Sequence, residues 1–251
     1  MADNSIFYAK GDSPEMIQAF EHARKTFKYF WRELSWEARR IVPGVDLACV
    51  KVAFAQQFPG EEEPTIEHMW INDVYFDGDT VSGTLINDPE SLTNVKNGDA
   101  VTVPLEQVSD WLMLSMGKTY GGFSIHQLRS TMSPEERASH DEAWGMDFGD
   151  YNNIEVVRDQ DTHPEHLVEH PMSINMKDGF VKFLQDYPQQ MINADEQGYT
   201  LLHRETIAGN KTSVVLLLQQ GVNTGSKTNS GKTALDFARQ LGWEHIIPLL
   251  H

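Results

Sequence analysis

Three histidines in the segment THPEHLVEHP are spaced as metal ligands on one face of a helix would be. They occupy positions i, i+3 and i+7 and are His163, His166 and His170, with Glu165 and Glu169 between them. Imidazole nitrogens at this spacing could bind zinc if the segment were helical. Pro164 and Pro171, however, restrict any α-helix here to fewer than two turns. A solvated helix start or linker explains the segment better, and we therefore predict no metal site.

The stretch GSKTNSGKT, residues 225–233, has the composition of a phosphate-binding loop but not its spacing. That loop requires four residues between its two glycines, and it follows a strand. Here five residues separate Gly225 from Gly231, and no strand is predicted before them. We therefore predict no nucleotide site.

The remaining residues with reactive or ligating side chains have simpler structural explanations. Cys49 lies in an apolar stretch of alternating character, which indicates a buried side chain and not a nucleophile. The aspartates of NDVYFDGD mark a hairpin turn, because no glutamate follows at the spacing of a calcium loop. The serines lack the glycine-flanked sequence of a nucleophile elbow. We predict that the protein is not an enzyme and needs no cofactor.

The charge of the chain is strongly negative and unevenly distributed. The 251 residues carry a formal net charge of −17, with 8 basic and 27 acidic side chains between residues 51 and 200. Direct nucleic-acid binding needs a basic face, so we do not expect it. The single cysteine excludes an internal disulfide, and the sequence has neither the pattern of a signal peptide nor that of a membrane span. We therefore expect a cytoplasmic protein.

The N-terminal part of the chain has the patterns of one long helix and several strands. Ser13-Pro14-Glu15 is a helix start, and apolar residues follow it at helical spacing. The stretch DLACVKVAFAQQF alternates as a strand does, and Asp77-Gly78-Asp79 is a hairpin signal between two further strands. A strand, a glycine turn and a helix are predicted from QVSDWLMLSMGKTYGGFSIHQLRS. The fold class predicted for residues 1–150 is α+β with a mainly antiparallel sheet.

The C-terminal part of the chain repeats itself with a period of 33 residues. GYTLLHRETIAGN, residues 198–210, returns as GKTALDFARQLGW, residues 231–243. This period and this pattern resemble ankyrin repeats. The resemblance implies an all-α ankyrin repeat array over residues 164–251, with a degenerate first unit followed by two clear ones. Residues 145–165 are polar and contain glycines, which places the predicted domain boundary there.

A pattern of glycines, aspartates and tryptophans extends over residues 45–130. It consists of Trp70, Gly83, Asn87-Asp88-Pro89, Gly98-Asp99, Asp110-Trp111 and Gly121-Gly122-Phe123. This pattern resembles the YegJ-like domain, a bacterial domain of unknown function that is sometimes fused to ankyrin repeats. Related small domains and ankyrin proteins recur among the immunity proteins of bacterial toxin systems. The resemblance therefore implies a binding protein of that kind.

We predict a cytoplasmic immunity protein that occludes a secreted bacterial toxin with a basic surface and does not bind membranes. The predicted contact residues in the repeats are Glu196, Gln197, Tyr199, Arg204, Asn229, Ser230 and Lys232. In the first domain, Glu61, Glu62, Glu63, Asp77 and Asp79 would supply the complementary negative charge. One alternative is an ankyrin scaffold or adaptor in a housekeeping complex. The other is a small hydrolase with a polar pocket near Asp110 and Gly121-Gly122.

Overall fold

The computed structural model describes residues 13–251, which divide into two compact units. The first unit consists of residues 13–30 and 42–156, and the second of residues 31–41 and 157–251. Helix α1, Pro14–Glu37, contributes its first 17 residues to the first unit and its last seven to the second. Among the described residues, no helix combines the length and the apolar character that crossing a bilayer requires.

The first unit is built around a six-stranded sheet in which every neighbouring pair is antiparallel. The strands are β1 Leu47–Gln56, β2 Thr65–Phe76, β3 Thr80–Leu85, β4 Ala100–Pro104, β5 Val108–Ser115 and β6 Lys118–Gly121. Their order across the sheet is β4-β3-β2-β1-β5-β6. Short turns join β2 to β3 and β5 to β6, so these strands pair as hairpins. Helices α2, Phe123–Ser130, and α3, Pro134–Trp144, follow the sheet.

Aromatic side chains of α1 form a core with this sheet. Phe27 and Phe30 are fully buried, and their ring centroids lie 5.2 Å from Phe76 and 5.4 Å from Trp111, respectively. Trp111 Nε1 donates a hydrogen bond to the carbonyl oxygen of Ala23, 3.1 Å away, so the polar atom of this large core side chain has a partner. A second cluster of buried side chains contains Cys49, Leu112, Ile125 and Phe148.

The second unit is helical in its regular elements. Besides the end of α1 it contains α4 Pro171–Asn175, α5 Lys177–Asp186, α6 Leu201–Ile207, α7 Lys211–Gln219 and α8 Ala234–Gln240, and 3₁₀ turns at Pro164–Leu167, Pro188–Met191 and Ile247–Leu249. Trp243 is buried, and its Nε1 donates a hydrogen bond to the carbonyl oxygen of Ile207, 3.1 Å away. Gly209, with φ +71°, lies against this indole, where a Cβ would be 2.4 Å from the ring. Glycine is therefore required for this close approach.

The predicted fold class is wrong in its second part, because the helices of the second unit do not form a regular ankyrin array. The two recurring stretches begin alike: Thr200 (φ −90°, ψ 169°) precedes α6, and Thr233 (φ −91°, ψ 168°) precedes α8. The nine-residue α7 follows α6, whereas α8 is followed by the three-residue 3₁₀ turn Ile247–Leu249. Pro248 explains the difference, because proline lacks an N–H and clashes with the preceding turn inside an α-helix. The predicted degenerate unit begins with the 3₁₀ turn Pro164–Leu167, which is followed by the five-residue α4.

Candidate functional site

The second unit contains an apolar groove of about 340 Å³, which we call the α5 groove. Its walls come from the end of α1 and from helices α4 to α7. The apolar part of its lining includes Trp36, Met172, Met176, Phe180, Phe183 and Leu216. A volume of this size lies at the lower end of the range that ligand-binding clefts occupy in proteins. The groove is therefore large enough to receive several side chains of another molecule.

An aromatic stripe on α5 leads from the groove to the protein surface. Phe180, Phe183 and Tyr187 are spaced i, i+3 and i+7, which places them on one side of the helix, with Tyr187 at its C-terminal cap. The ring centroids of Phe180 and Phe183 are 6.1 Å apart, and those of Phe183 and Tyr187 are 5.5 Å apart. Phe183 is 36% exposed and Tyr187 is 59% exposed. The i, i+3 and i+7 spacing of these three residues indicates an apolar helix face from the sequence alone.

An ion pair between the exposed Arg39 and the buried Glu205 closes the polar end of the groove. Arg39 Nη2 lies 2.6 Å from Glu205 Oε1, and Glu205 is fully buried. Glu205 Oε2 accepts a hydrogen bond from Asn210 Nδ2 at 2.8 Å, and Asn210 Oδ1 accepts one from Trp36 Nε1 at 2.8 Å. The Arg39 guanidinium lies 4.6 Å from the centroid of the Trp36 ring. Because a buried carboxylate is stable only with such partners, the network holds Trp36 and Arg39 in place on the groove wall.

The structure brings four of the predicted contact residues together on two adjacent turns. Asn229 Nδ2 donates a hydrogen bond to the carbonyl oxygen of Glu196 at 2.9 Å, and the Asn229 N–H donates one to the carbonyl oxygen of Gln197 at 2.9 Å. These three residues and Ser230 are exposed. We call this polar area the turn surface (Glu196, Gln197, Asn229 and Ser230). Its two turns are fixed to each other by backbone contacts, so it presents a defined shape.

The other predicted contact residues of this unit pack within it. Tyr199 is buried, and its ring centroid lies 5.8 Å from that of Phe237. Arg204 lies over the Tyr199 ring at 4.4 Å and forms an ion pair with Asp195. Lys232 is half-buried, with its Nζ 5.6 Å from the centroid of the Phe237 ring. These side chains therefore contribute to the unit's own packing.

The five predicted acidic residues lie in two loops of the first unit. Glu61, Glu62 and Glu63 are exposed. Asp77 shapes the hairpin between β2 and β3, since its Oδ1 accepts hydrogen bonds from the N–H groups of Asp79 at 2.8 Å and Thr80 at 2.7 Å. Asp79 is half-buried in that turn. Within this set, the glutamates are thus the residues that present their charge to solvent.

Asp110, which the hydrolase alternative placed beside a pocket, is a buried carboxylate at the start of α2. Its Oδ1 accepts a hydrogen bond from the N–H of Phe123 at 2.9 Å, and its Oδ2 accepts from the N–H and the hydroxyl of Ser124 at 2.7 and 2.6 Å. These amides have no partner inside the helix. Burial raises the pKa of Asp110, and the hydrogen bonds from Ser124 oppose that rise. Gly121 and Gly122, with φ +75° and +72°, form the turn that leads into α2.

A row of side chains crosses the sheet beside Asp110, and its arrangement was not predicted from the sequence. Trp70, Lys51 and Asp110 lie directly opposite one another on β2, β1 and β5, so their side chains project from the same face. Lys51 Nζ lies 5.5 Å from the centroid of the Trp70 ring. Burial lowers the pKa of Lys51, and burial together with the charge of Lys51 lowers the pKa of His68 to about 4. Trp70 and Asp110 belong to the sequence pattern described above, and the further sign of this cluster is a lysine inside the apolar stretch LACVKVAFA.

His170 lies in the core of the second unit, away from solvent. Its Nε2 is 2.8 Å from Glu33 Oε2. Although burial raises the pKa of Glu33, the hydrogen bond with His170 and the charges of Arg158 and Arg40 lower it to about 2. Burial lowers the pKa of His170. His170 is therefore held in the core by a carboxylate partner.

Comparison with known proteins gives a family and two relatives. Residues 13–148 match the family described as "Uncharacterized protein conserved in bacteria (DUF2314)". A putative ankyrin repeat protein of Neisseria meningitidis serogroup B is 48% identical over 250 residues, which are 100% of this chain and 98% of that protein. The uncharacterized protein YegJ of Escherichia coli K12 is 31% identical over 127 residues, which are 50% of this chain and 74% of that protein. No solved structure matches the chain significantly. The resemblance to the YegJ-like domain is confirmed, and the resemblance to immunity proteins stays a prediction.

Proposed function

We propose that this chain, which belongs to the DUF2314 family of bacterial proteins, binds a partner protein and has no enzymatic activity of its own. The relative that matches the whole chain is named an ankyrin repeat protein, a name that suggests protein interaction. The observation that carries the proposal is the α5 groove with its partly exposed aromatic stripe. The occupant is an amphipathic helix of the partner, whose apolar face enters the groove.

The geometry of α5 suits a helical occupant. An amphipathic helix presents apolar side chains at i, i+3 or i+4 and i+7, the same periodicity that Phe180, Phe183 and Tyr187 follow on α5. Covering Phe183 and Tyr187 would contribute roughly 1–2 kcal/mol each, because both rings give up water contact. Lys177 is exposed and lines the same groove. A carboxylate on the partner helix would therefore be favourable beside the apolar face.

The more specific form of the proposal is a cytoplasmic immunity protein, with a toxin effector as the partner. The strong negative charge between residues 51 and 200 supports a partner with a basic surface, because opposite charges steer association. Glu61, Glu62 and Glu63 are exposed and would face such a surface. The turn surface would add polar contacts around the apolar helix.

The test uses a charge introduced into the groove. Partners are captured from the native host on the full-length protein, identified, purified and titrated by calorimetry against three versions of it. Phe183→Asp should weaken binding at least about 30-fold, since buried aromatic side chains are the usual hot spots of interfaces. Ile41→Asp is the matched control, because Ile41 is 99% exposed and does not line the groove. Equal affinities of the wild type and Phe183→Asp would reject the groove as the binding site.

The identity of the captured partner separates the immunity protein from the adaptor. A toxin whose growth inhibition is suppressed by the wild type, and not by Phe183→Asp, supports immunity by occlusion. A housekeeping assembly that binds through the groove supports the scaffold or adaptor alternative.

A further inference from the structure

Two histidines and a glutamate meet at the start of the 3₁₀ turn Pro164–Leu167 of the second unit, which His163 immediately precedes. A 3₁₀ helix has three residues per turn, so side chains at i and i+3 lie above one another. His163 and His166 have this relation, and their rings are 5.1 Å apart and inclined by 21°. Glu165 Oε1 lies 2.9 Å from His163 Nδ1. The three side chains offer ligand atoms that all lie within 4.8 Å of one another.

His166 is held in place from two sides. Its Nδ1 lies 2.9 Å from the carbonyl oxygen of Arg158, an acceptor, so Nδ1 carries the proton and donates it. The carbonyl oxygen of His166 in turn accepts a hydrogen bond from Arg32 Nη2. A histidine whose Nδ1–H donates to a carbonyl oxygen has the lone pair of Nε2 free to bind a metal ion. Such a hydrogen bond from Nδ1–H also orients the imidazole ligands of known metal sites.

We propose that His163, Glu165 and His166 bind a divalent transition-metal ion, with Zn²⁺ as the type of ion that fits. Two imidazoles and a carboxylate are a ligand set of zinc, whereas Ca²⁺ and Mg²⁺ prefer oxygen ligands alone. Zinc bonds of about 2.0–2.2 Å require ligand atoms roughly 3.5 Å apart. The side chains of His163 and Glu165 are 54% and 66% exposed, so they can rotate toward the fixed His166. Water or a group from outside would complete the coordination.

This site differs from the helical arrangement considered from the sequence. His170 is turned into the core, where it meets Glu33. Glu169 Oε1 accepts hydrogen bonds from the Ser173 hydroxyl at 2.7 Å and from the Thr212 N–H at 2.6 Å. Neither residue is available as a ligand, and the proposed site uses one 3₁₀ turn where the sequence pattern suggested two turns of α-helix. The prolines that argued against a long helix are compatible with this shorter turn.

The test is a titration of the full-length, chelator-treated protein with Zn²⁺ in a calorimeter and with Co²⁺ in a spectrophotometer. We expect one ion per chain and a visible Co²⁺ absorption band from nitrogen and oxygen ligands. His163→Ala and Glu165→Gln should each lower the affinity about tenfold or more. His251→Ala, which removes an exposed histidine far along the chain, should leave affinity and stoichiometry unchanged. The variants of the exposed residues His163 and Glu165 decide the test. Replacing His166 is less informative because it also removes the hydrogen bond to Arg158.

Equal Zn²⁺ affinity in the wild type and in His163→Ala would overturn the proposal, as would the absence of a stoichiometric binding step. An equal loss in His251→Ala would show adventitious binding to surface histidines and would overturn it as well. The α5 groove is lined by other residues. Phe183→Asp should therefore bind Zn²⁺ as the wild type does, so the metal site and the proposed function can fail separately.

Discussion

Replacing Gly121 by alanine tests how the turn between β6 and α2 packs on the sheet. Gly121 has φ +75°, and a Cβ there would lie 2.4 Å from the carbonyl oxygen of Trp111 and 2.5 Å from its ring. Trp111 has no room to retreat, because it is fully buried and paired with Val50. The left-handed conformation costs an alanine roughly 1–2 kcal/mol, and forcing a methyl group into a packed core costs roughly 1–3 kcal/mol more. We expect Gly121→Ala to destabilise the first unit by about 2–5 kcal/mol.

Gly117→Ala is the matched control for this change. Gly117 has φ +80°, but no atom lies within 4 Å of an added Cβ, so its cost is about 1–2 kcal/mol. The effect of alanine on the unfolded chain is the same at both positions. Urea denaturation of the full-length variants gives the two losses. The Gly122 amide donates a hydrogen bond to the Trp111 carbonyl oxygen at 2.7 Å. Faster hydrogen exchange of this amide would show that the losses of stability occur in the first unit. Equal losses in the two variants would refute the argument from the Trp111 contact.

Three further predictions concern buried groups. Arg39→Ala leaves the buried Glu205 carboxylate without its cation. Because Arg39 is itself partly exposed to water, the second unit should lose roughly 1–3 kcal/mol in urea denaturation, and an unchanged midpoint would contradict the ion pair. The pKa of Glu33 is lowered from its ordinary value of 4.5 to about 2. Its contribution to stability of about 3 kcal/mol is therefore complete above pH 4.5 and is lost as the pH falls toward 2. The free energy of unfolding, measured over this pH range, should therefore fall less in Glu33→Gln than in the wild type. An equal fall in both proteins would contradict the lowered pKa of Glu33. Burial and the charge of Asp110 raise the pKa of Cys49 to about 12. The thiol should therefore react with Ellman's reagent only after unfolding. Fast labelling of the folded protein would disprove the burial of Cys49.

The elements that depend on a few neighbouring residues were predictable from the sequence. Ser13-Pro14-Glu15 marks the start of α1, which begins at Pro14. The alternating stretch around Cys49 corresponds to β1, Leu47–Gln56. Asp77 accepts the hydrogen bonds that close the hairpin it was expected to mark. In each case the determining contacts span only a few positions, so the local pattern contains the necessary information.

The remaining features depend on contacts that a local pattern does not contain. The 33-residue recurrence reproduces the backbone at Thr200 and Thr233, but Pro248 prevents the second helix that an ankyrin unit needs. The polar end of the α5 groove joins Arg39 to Glu205 across 166 positions. The cluster around Lys51 likewise combines residues that are distant in the sequence, because it is formed by three strands. A single sequence indicates the polarity of such residues and not their partners.

The continuity of α1 has a consequence for how this protein can be rearranged by recombination. The helix runs from Pro14 to Glu37, and its last turns supply Glu33 to His170 and Trp36 to Asn210 in the second unit. A gene segment encoding residues 157–251 alone would lack these side chains and would leave their buried polar partners unsatisfied. The second unit therefore cannot be transferred as residues 157–251 alone. An exchange between genes that preserved its core would have to carry the end of α1 with it.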